Sequence, residues 1–142
     1  MIVVDTSLLS IVLRRQQGSS ASSRDADALR RMVASGVPPS VPGIVIQEIL
    51  SGVKTEAQFE TLSRALERLP ILLAETSDHL SAAALFNTCH RKGVAATLVD
   101  CLIAAQAISI DAKLWTLDRD FKQIARHSEL RLFTVEELSE KP

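Results

Sequence analysis

The stretch TLVDCLIAAQAI, Thr97 to Ile108, sets one carboxylate, Asp100, into an otherwise almost wholly apolar helical run. Its apolar side chains cover nearly every face of a helix, so this helix is predicted to be buried on most sides. A carboxylate in such surroundings needs a partner, several hydrogen bonds or a metal ion, because burial otherwise raises its pKa until it is neutral. The stretch therefore predicts a polar site at the start of a core helix, and the chain has further acids that could share it.

Strands alternate with helices on both sides of this stretch. Short apolar runs bounded by turn residues predict strands at residues 2–4, 37–41, 71–74, 113–116 and 130–133. Apolar spacing and end signals predict helices at about 8–13, 24–35, 42–53, 56–69, 76–91, 97–108 and 118–126, with a polar loop at 19–23. This alternation indicates the α/β class, a three-layer α/β/α domain with a central, mostly parallel sheet.

Two of these elements carry more specific predictions. The prolines of the 37–41 strand place it near a sheet edge or leave only its last residues paired. The helix at 76–91 is predicted to turn five apolar side chains inward, Leu80, Ala83, Ala84, Leu85 and Phe86.

Length, charge and cysteine content bound the class of protein. A chain of 142 residues is the size of one domain, 1–142, and its net charge of −1 gives no global basic field, so any nucleic-acid surface would be a local patch. Cys89 and Cys101 lie in apolar helical patterns without a CxxC spacing, which favours reduced, buried thiols in a cytoplasmic protein. The N-terminus lacks a basic segment and reaches Asp5 early, so neither a signal peptide nor a membrane span is expected.

Four acids are predicted to meet at one edge of the sheet. Asp5 follows the first strand, Glu48 lies in the helix after the second, Asp100 lies one turn into the helix before the fourth, and Asp118 follows the fourth, with Asp120 close by. Ligands of such sheets bind outside the carboxyl ends of the strands. Converging carboxylates repel unless a cation neutralises them, and oxygen ligands without His or Cys indicate Mg²⁺ or Mn²⁺ rather than zinc.

Each acid also has a simpler explanation. The three aspartates after strands can be helix caps or turn residues, Glu48 an exposed helix residue, and Asp100 the partner of a buried arginine.

The segments VVDTSLL, Glu48 followed by Gly52, KGV…VDCLIAAQA and TLDRDF, in this order, make the chain resemble a PIN domain, and within that superfamily the VapC-type toxins of toxin–antitoxin pairs. The resemblance spans essentially the whole chain. It implies a parallel sheet sandwiched by helices and a metal-dependent endoribonuclease, silenced by a cognate antitoxin, that cuts tRNA or rRNA to leave a 5′-phosphate and a 3′-hydroxyl.

The resemblance also implies residue roles. The family's acidic quartet falls on Asp5, Glu48, Asp100 and Asp118, with Asp120 as an additional acid, and Asp5, Asp100, Asp118 and Asp120 are the implied metal ligands. Thr6 or Ser7, and Thr116, match positions of supporting hydroxyls. The proline-rich segment 37–42 departs from the usual pattern, which affects the placement of Glu48 most.

Local cations and one apolar helix supply the expected partner surfaces. Seven cations are candidates for holding RNA, and Arg119, between two acids, and Arg14 are preferred; the others are Arg15, Arg91, Lys92, Lys113 and Lys122. The chain has few aromatic side chains on which bases could stack, so RNA is expected to be recognised by its shape and by contacts to its phosphates. The first helix carries more apolar surface than one sheet contact needs, which fits either packing within the domain or the antitoxin and homodimer contacts that the resemblance suggests.

Two other functions are compatible with acids at strand ends. A phospho-acceptor receiver would need a pair of acids after the first strand, but Asp5 is followed by Thr6 and Ser7. A PIN-like module that binds RNA or protein without cutting it is the second alternative, and metal-dependent cleavage lost on mutating Asp100 separates it from the enzyme.

Overall fold

The computed structural model describes residues 1–14 and 20–140, without the side chains of residue 14 and residues 20–23. Five strands lie in it: β1 (Ile2–Val4), β2 (Val41–Pro42), β3 (Ile71–Leu72), β4 (Lys113–Trp115) and β5 (Arg131–Leu132). The helices are α1 (Thr6–Arg14), α2 (Ser20–Ala34), α3 (Gly43–Leu50), α4 (Glu56–Glu67), α5 (Thr76–Arg91), α6 (Leu98–Ser109) and α7 (Asp120–Arg126). A 3₁₀ helix, Val135–Leu138, follows β5.

Every described strand pair is parallel. β4 lies between β1 and β5, and β2 pairs with β3. A parallel bridge between Val3 and Ser40 joins the two groups, so the strands run β3-β2-β1-β4-β5 across the molecule. The chain adds strands on one side of β1 and then returns to its other side, which makes the β1–β4 junction a topological switch point. The predicted α/β fold with a parallel sheet is confirmed.

The core explains why β1 and α6 form as they do. Val3 and Val4 are fully buried, as expected for a strand covered on both faces. From Cys101 to Ala107 every side chain of α6 is buried except the half-buried Leu102, and Leu98 at its first turn is 69% exposed. The helix is therefore buried on most sides, as predicted, and it reaches solvent at its two ends, at Leu98 and Ser109.

Proline limits the pairing of β2. Ser40 donates its N–H to the carbonyl of Ile2 at 2.9 Å, and Val41 donates to the carbonyl of Pro70 at 2.8 Å. Only Val41 and Pro42 form the strand proper, and β2 lies between β1 and β3. The prediction that only the last residues of this segment pair is therefore confirmed, and its alternative, an edge position, is wrong.

Two helix predictions are wrong in detail. α2 begins at Ser20, so the predicted polar loop is helical from there, and residues 15–19 lie outside the described residues. In α5 the buried residues are Asp78, Ala82 and Cys89, whereas Leu80, Ala83 and Ala84 are exposed. Apolar residues at almost every position from 80 to 86 do not single out one face, and packing against α6 selects the side of Ala82 and Cys89.

Candidate active site

Asp5 is the most buried acid at the switch point. It directly follows β1, and its side chain is only 3% exposed. Ser7 donates its hydroxyl hydrogen to Asp5 at 2.7 Å, the backbone N–H of Leu8 donates at 3.2 Å, and Thr116, which follows β4, also donates to Asp5. Burial raises the pKa of Asp5, these hydrogen bonds oppose the rise, and the charge of Asp118 adds to it.

The two hydroxyls have fixed orientations. Each hydroxyl has one hydrogen, and both Ser7 and Thr116 use it on Asp5. Their oxygens accept in turn from the backbone, Ser7 from the N–H of Leu117 at 2.9 Å and Thr116 from the N–H of Asp118 at 3.0 Å. The network thus ties the end of β1 to the turn that follows β4, and holds one carboxylate with three donors.

Asp118 and Asp120 lie in the turn between β4 and α7. Asp118 is half-buried and accepts the backbone N–H of Asp120 at 2.9 Å, which is the contact of a turn-forming aspartate. Asp120 is exposed and begins α7. Asp118 therefore has a structural contact of its own, and its charge acts on both Asp5 and Asp100.

Asp100 lies in the first turn of α6. Thr97 is the N-cap, and its side chain accepts the backbone N–H of Asp100 at 3.1 Å. Burial raises the pKa of Asp100, hydrogen bonds with Thr97 lower it, and the charges of Asp118 and Glu48 raise it further. The helix N-terminus favours a negative charge here, so a half-buried carboxylate can be kept at this position.

Glu48 is the most exposed member of the quartet. α3 is shorter than predicted, so Glu48 lies near its end, and it accepts the Thr6 hydroxyl at 2.7 Å. Thr6 and Ser7 therefore support different acids, although they are neighbours in sequence. Their selection of partners could not be read from the sequence, because Thr6 and Glu48 are 42 positions apart and belong to different helices.

The four acids have no cationic partner within the described residues. The ion pairs found there join other residues: Arg24–Glu136, Arg30–Asp27, Arg64–Glu60, Lys113–Glu137 and Arg131–Asp111. No three Asp, Glu, His or Cys side chains in residues 1–14 and 20–140 come together as a metal-binding cluster. The carboxylates are thus close enough for their charges to interact but do not form a ready-made set of three ligands.

This chemistry fits a divalent cation nonetheless. Asp5, Asp100 and Asp118 are partly or fully removed from water, their charges oppose one another, and carboxylate oxygen is the ligand that Mg²⁺ and Mn²⁺ prefer. Binding by several of them at once requires their side chains to turn toward a common point.

Arg119, one of the two cations preferred for RNA contact, is the exposed N-cap residue of α7 and forms no ion pair in the described part of the chain. The backbone of Arg14 ends α1, but its side chain lies outside the described residues.

Comparison with known proteins gives the family. A PIN-domain profile matches residues 2–127, and the chain therefore belongs to the PIN-domain family. Within it, the sequence is similar to VapC ribonucleases: Ribonuclease VapC11 of Mycobacterium tuberculosis and VapC ribonuclease Mb1587 of Mycobacterium bovis are each 34% identical over 136 residues, covering 92% of this chain and 96% of the relative.

Solved structures agree with this fold. FitAcB from Neisseria gonorrhoeae is 19% identical with a TM-score of 0.72, and the match covers 94% of this chain and 97% of the FitAcB chain. VapBC2 from Rickettsia felis, solved in complex with a DNA fragment from its promoter, is 23% identical with a TM-score of 0.72. The match covers 94% of this chain and 98% of the VapBC2 chain.

Proposed function

We propose that the protein is an endoribonuclease that hydrolyses RNA phosphodiester bonds and acts as the toxin of a toxin–antitoxin pair. The observation that carries the proposal is the set of four carboxylates at the switch-point edge of a PIN fold, with no cation paired to them in the described residues. The similarity to proteins named VapC ribonucleases over nearly the whole chain supports the same activity.

The proposed cofactor is Mg²⁺ or Mn²⁺, held by Asp5, Asp100 and Asp118, with Asp120 as a further candidate. When bound, the cation supplies positive charge against the phosphate oxygens and makes an attacking water more acidic. Support comes from the donor chemistry and from the mutual charge effects on Asp5 and Asp100.

The protein groups around the acids fix their directions. Ser7, Thr116 and the N–H of Leu8 hold Asp5 in one orientation, so its free electron pairs keep a constant direction toward the site. Thr6 holds Glu48, which as an exposed carboxylate is the proposed general base or an outer partner through water. Without a cation, the same four charges repel an RNA backbone.

RNA is proposed to be held by local cations rather than by a global field. Arg119 is the best candidate, because it is exposed between Asp118 and Asp120 and forms no ion pair in the described residues. A guanidinium there can bind a phosphate oxygen beside the acids. Arg14 remains the second candidate from the sequence, and tRNA or rRNA the proposed substrate class.

An antitoxin and a second copy of the chain are the proposed protein partners. A cleft of about 580 Å³ lies between the end of α1 and the α3–α4 connection, and Leu13, Ile49, Val53, Ala57 and Leu62 line it. An apolar side-chain row of an antitoxin segment fits such a cleft, and the solved neighbours titled VapBC support an antitoxin partner. A cytoplasmic location is part of the proposal, and it rests on the two free, buried cysteines.

The test is cleavage of a total tRNA and rRNA pool by the purified protein with Mg²⁺ or Mn²⁺, against the same reaction in EDTA and against Asp100→Asn. Discrete fragments that need the metal and disappear in the variant are the expected result.

A non-catalytic PIN-like module that binds RNA or protein is the second candidate. It is favoured by the absence of a three-ligand cluster within residues 1–14 and 20–140 and by the turn contact that already occupies Asp118. If wild type and Asp100→Asn bind RNA equally and neither cleaves it, the protein is a binding module and not an endoribonuclease.

A further inference from the structure

A large cleft lies at the edge of the sheet opposite the acids. Its volume is about 1110 Å³, and its floor includes Ile2, Lys113 and Arg131, which begin β1, β4 and β5. The acids follow the carboxyl ends of β1 and β4, so the two sites are separated by the length of the strands. The proposed ribonuclease activity does not use this cleft.

The walls of the cleft are largely apolar. The end of α2, the proline segment before β2 and the C-terminal 3₁₀ helix supply them, through Met32, Val37, Pro38, Phe133 and Leu138. Val37 is 68% exposed and Leu138 38% exposed, so apolar surface is left open to solvent. Small-molecule sites are typically concave, mostly apolar clefts of roughly 300–1,000 Å³. This cleft is slightly larger, and charged side chains line it beside the apolar walls.

Among the charged side chains that line the cleft, one cation has no acidic partner in the described residues. Lys113 is paired with Glu137 at 2.6 Å, and Arg131 with Asp111 at 2.7 Å, and all four line the cleft. Arg31, on α2, lines it too and forms no ion pair in the described part of the chain. A ligand with one negative group therefore matches the net charge of the lining side chains.

From this charge and these walls we propose that the cleft binds a small anionic amphiphile, a molecule with one carboxylate or similar head and an apolar body. Arg31 binds the head, and the apolar walls around Met32 and Phe133 bind the body. The occupied cleft joins α2, the proline segment and the 3₁₀ helix across the starts of three strands, so the ligand stabilises the fold from the side away from the acids.

Trp115 provides a fluorescence donor for the test. It is the only tryptophan, its ring centroid lies 4.8 Å from that of Phe133, and Phe133 lines the cleft. A fluorescent probe in the cleft is therefore within energy-transfer range of Trp115.

The experiment uses anilinonaphthalene sulfonate as the probe, titrated into the full chain while Trp115 is excited. Decanoate is the competitor, and decanol is its uncharged control. Two neighbouring arginines of α2 give matched variants: Arg31→Gln removes the cleft cation, whereas Arg30→Gln removes an exposed cation paired with Asp27.

Decanoate is expected to displace the probe at lower concentration than decanol, and Arg31→Gln to weaken decanoate binding about tenfold, the loss of one charge-assisted hydrogen bond. Arg30→Gln is expected to leave it unchanged. Equal effects of the two variants, equal displacement by decanol, or probe fluorescence without energy transfer from Trp115 would each overturn the assignment. RNA cleavage is not a readout here, so this result is independent of the proposed function.

Discussion

Replacing Thr116 with valine removes one hydroxyl that has two partners in the site. Thr116 donates to the buried Asp5 and accepts the backbone N–H of Asp118, so the variant leaves one carboxylate with two donors instead of three and one N–H without its acceptor. A hydrogen bond to a charged group contributes about 1.5–3 kcal/mol. We expect the free energy of unfolding to fall by about 2 kcal/mol, which lowers the melting temperature by about 4–8 °C at this chain length.

Thr6→Val is the matched control, because in the described part of the chain the Thr6 hydroxyl donates only to the exposed Glu48. Its expected cost is about 0.5 kcal/mol, the low end for a solvated hydrogen bond. Thermal and urea unfolding in EDTA, followed by circular dichroism, measure both variants. Equal losses at Thr6 and Thr116 would refute the view that the Asp5 network is the stronger of the two.

The pH dependence of the Thr116 variant gives a second check. Burial outweighs the hydrogen bonds and raises the pKa of Asp5, so protonation of Asp5 stabilises the fold and this effect is lost as the pH rises through its folded pKa. The hydroxyl of Thr116 acts in the opposite direction, because it stabilises the ionised carboxylate. The difference in stability between wild type and Thr116→Val should therefore be largest near pH 7 and shrink as the pH falls through the raised folded pKa of Asp5. A difference that does not change with pH would contradict the assignment.

Three further predictions concern the metal, the core and the contact between α2 and β4. Asp100→Asn removes a negative charge that burial and two neighbouring acids disfavour, so it should raise the stability of the metal-free protein by about 0.5–2 kcal/mol. Millimolar Mn²⁺ should raise the melting temperature of wild type but not of this variant. Gln106 is buried and donates to the carbonyl of Leu72 at 3.2 Å, while its own side-chain carbonyl oxygen has no partner among the described residues. In denaturant unfolding, Gln106→Met should therefore change the free energy of unfolding by less than about 1 kcal/mol, whereas Gln106→Glu should lower it by about 3 kcal/mol or more. Asp25→Ala leaves the indole N–H of the buried Trp115 without its acceptor at 2.8 Å, and should cost about 1–3 kcal/mol with a shifted tryptophan emission; an unchanged spectrum and stability would contradict that contact.

Sequence predicted the elements whose signals are local. Asp5 could be assigned to a strand end because a run of β-branched residues stops at it, and α6 could be assigned to the core because apolar residues surround Asp100 on almost every face. Leu98 is the exception, since the first turn of a helix lies at the surface even when the rest is buried. The order of strands and helices alone was enough to predict that the acids lie at the carboxyl edge of the sheet.

Features that depend on distant partners could not be predicted. The inward face of α5 was predicted wrongly at Leu80, because its apolar residues surround the helix and only the packing against α6 selects a side. The interior position of β2 depends on the bridge between Val3 and Ser40, which no local pattern specifies. The cleft around Arg31 is formed by segments that are far apart in the chain, so neither hydrophobic spacing nor charge pattern indicated it.

The most direct test of the central claim is the RNA cleavage rate of a matched pair of Asp→Asn variants, measured at saturating Mn²⁺. Asp118→Asn changes an acid of the switch-point edge, and Asp27→Asn changes an exposed acid of α2 that pairs with Arg30. We expect a loss of about 10²-fold or more for Asp118→Asn and a rate within about twofold of wild type for Asp27→Asn. Cleavage that survives Asp118→Asn at the wild-type rate would contradict the claim that these acids cut RNA.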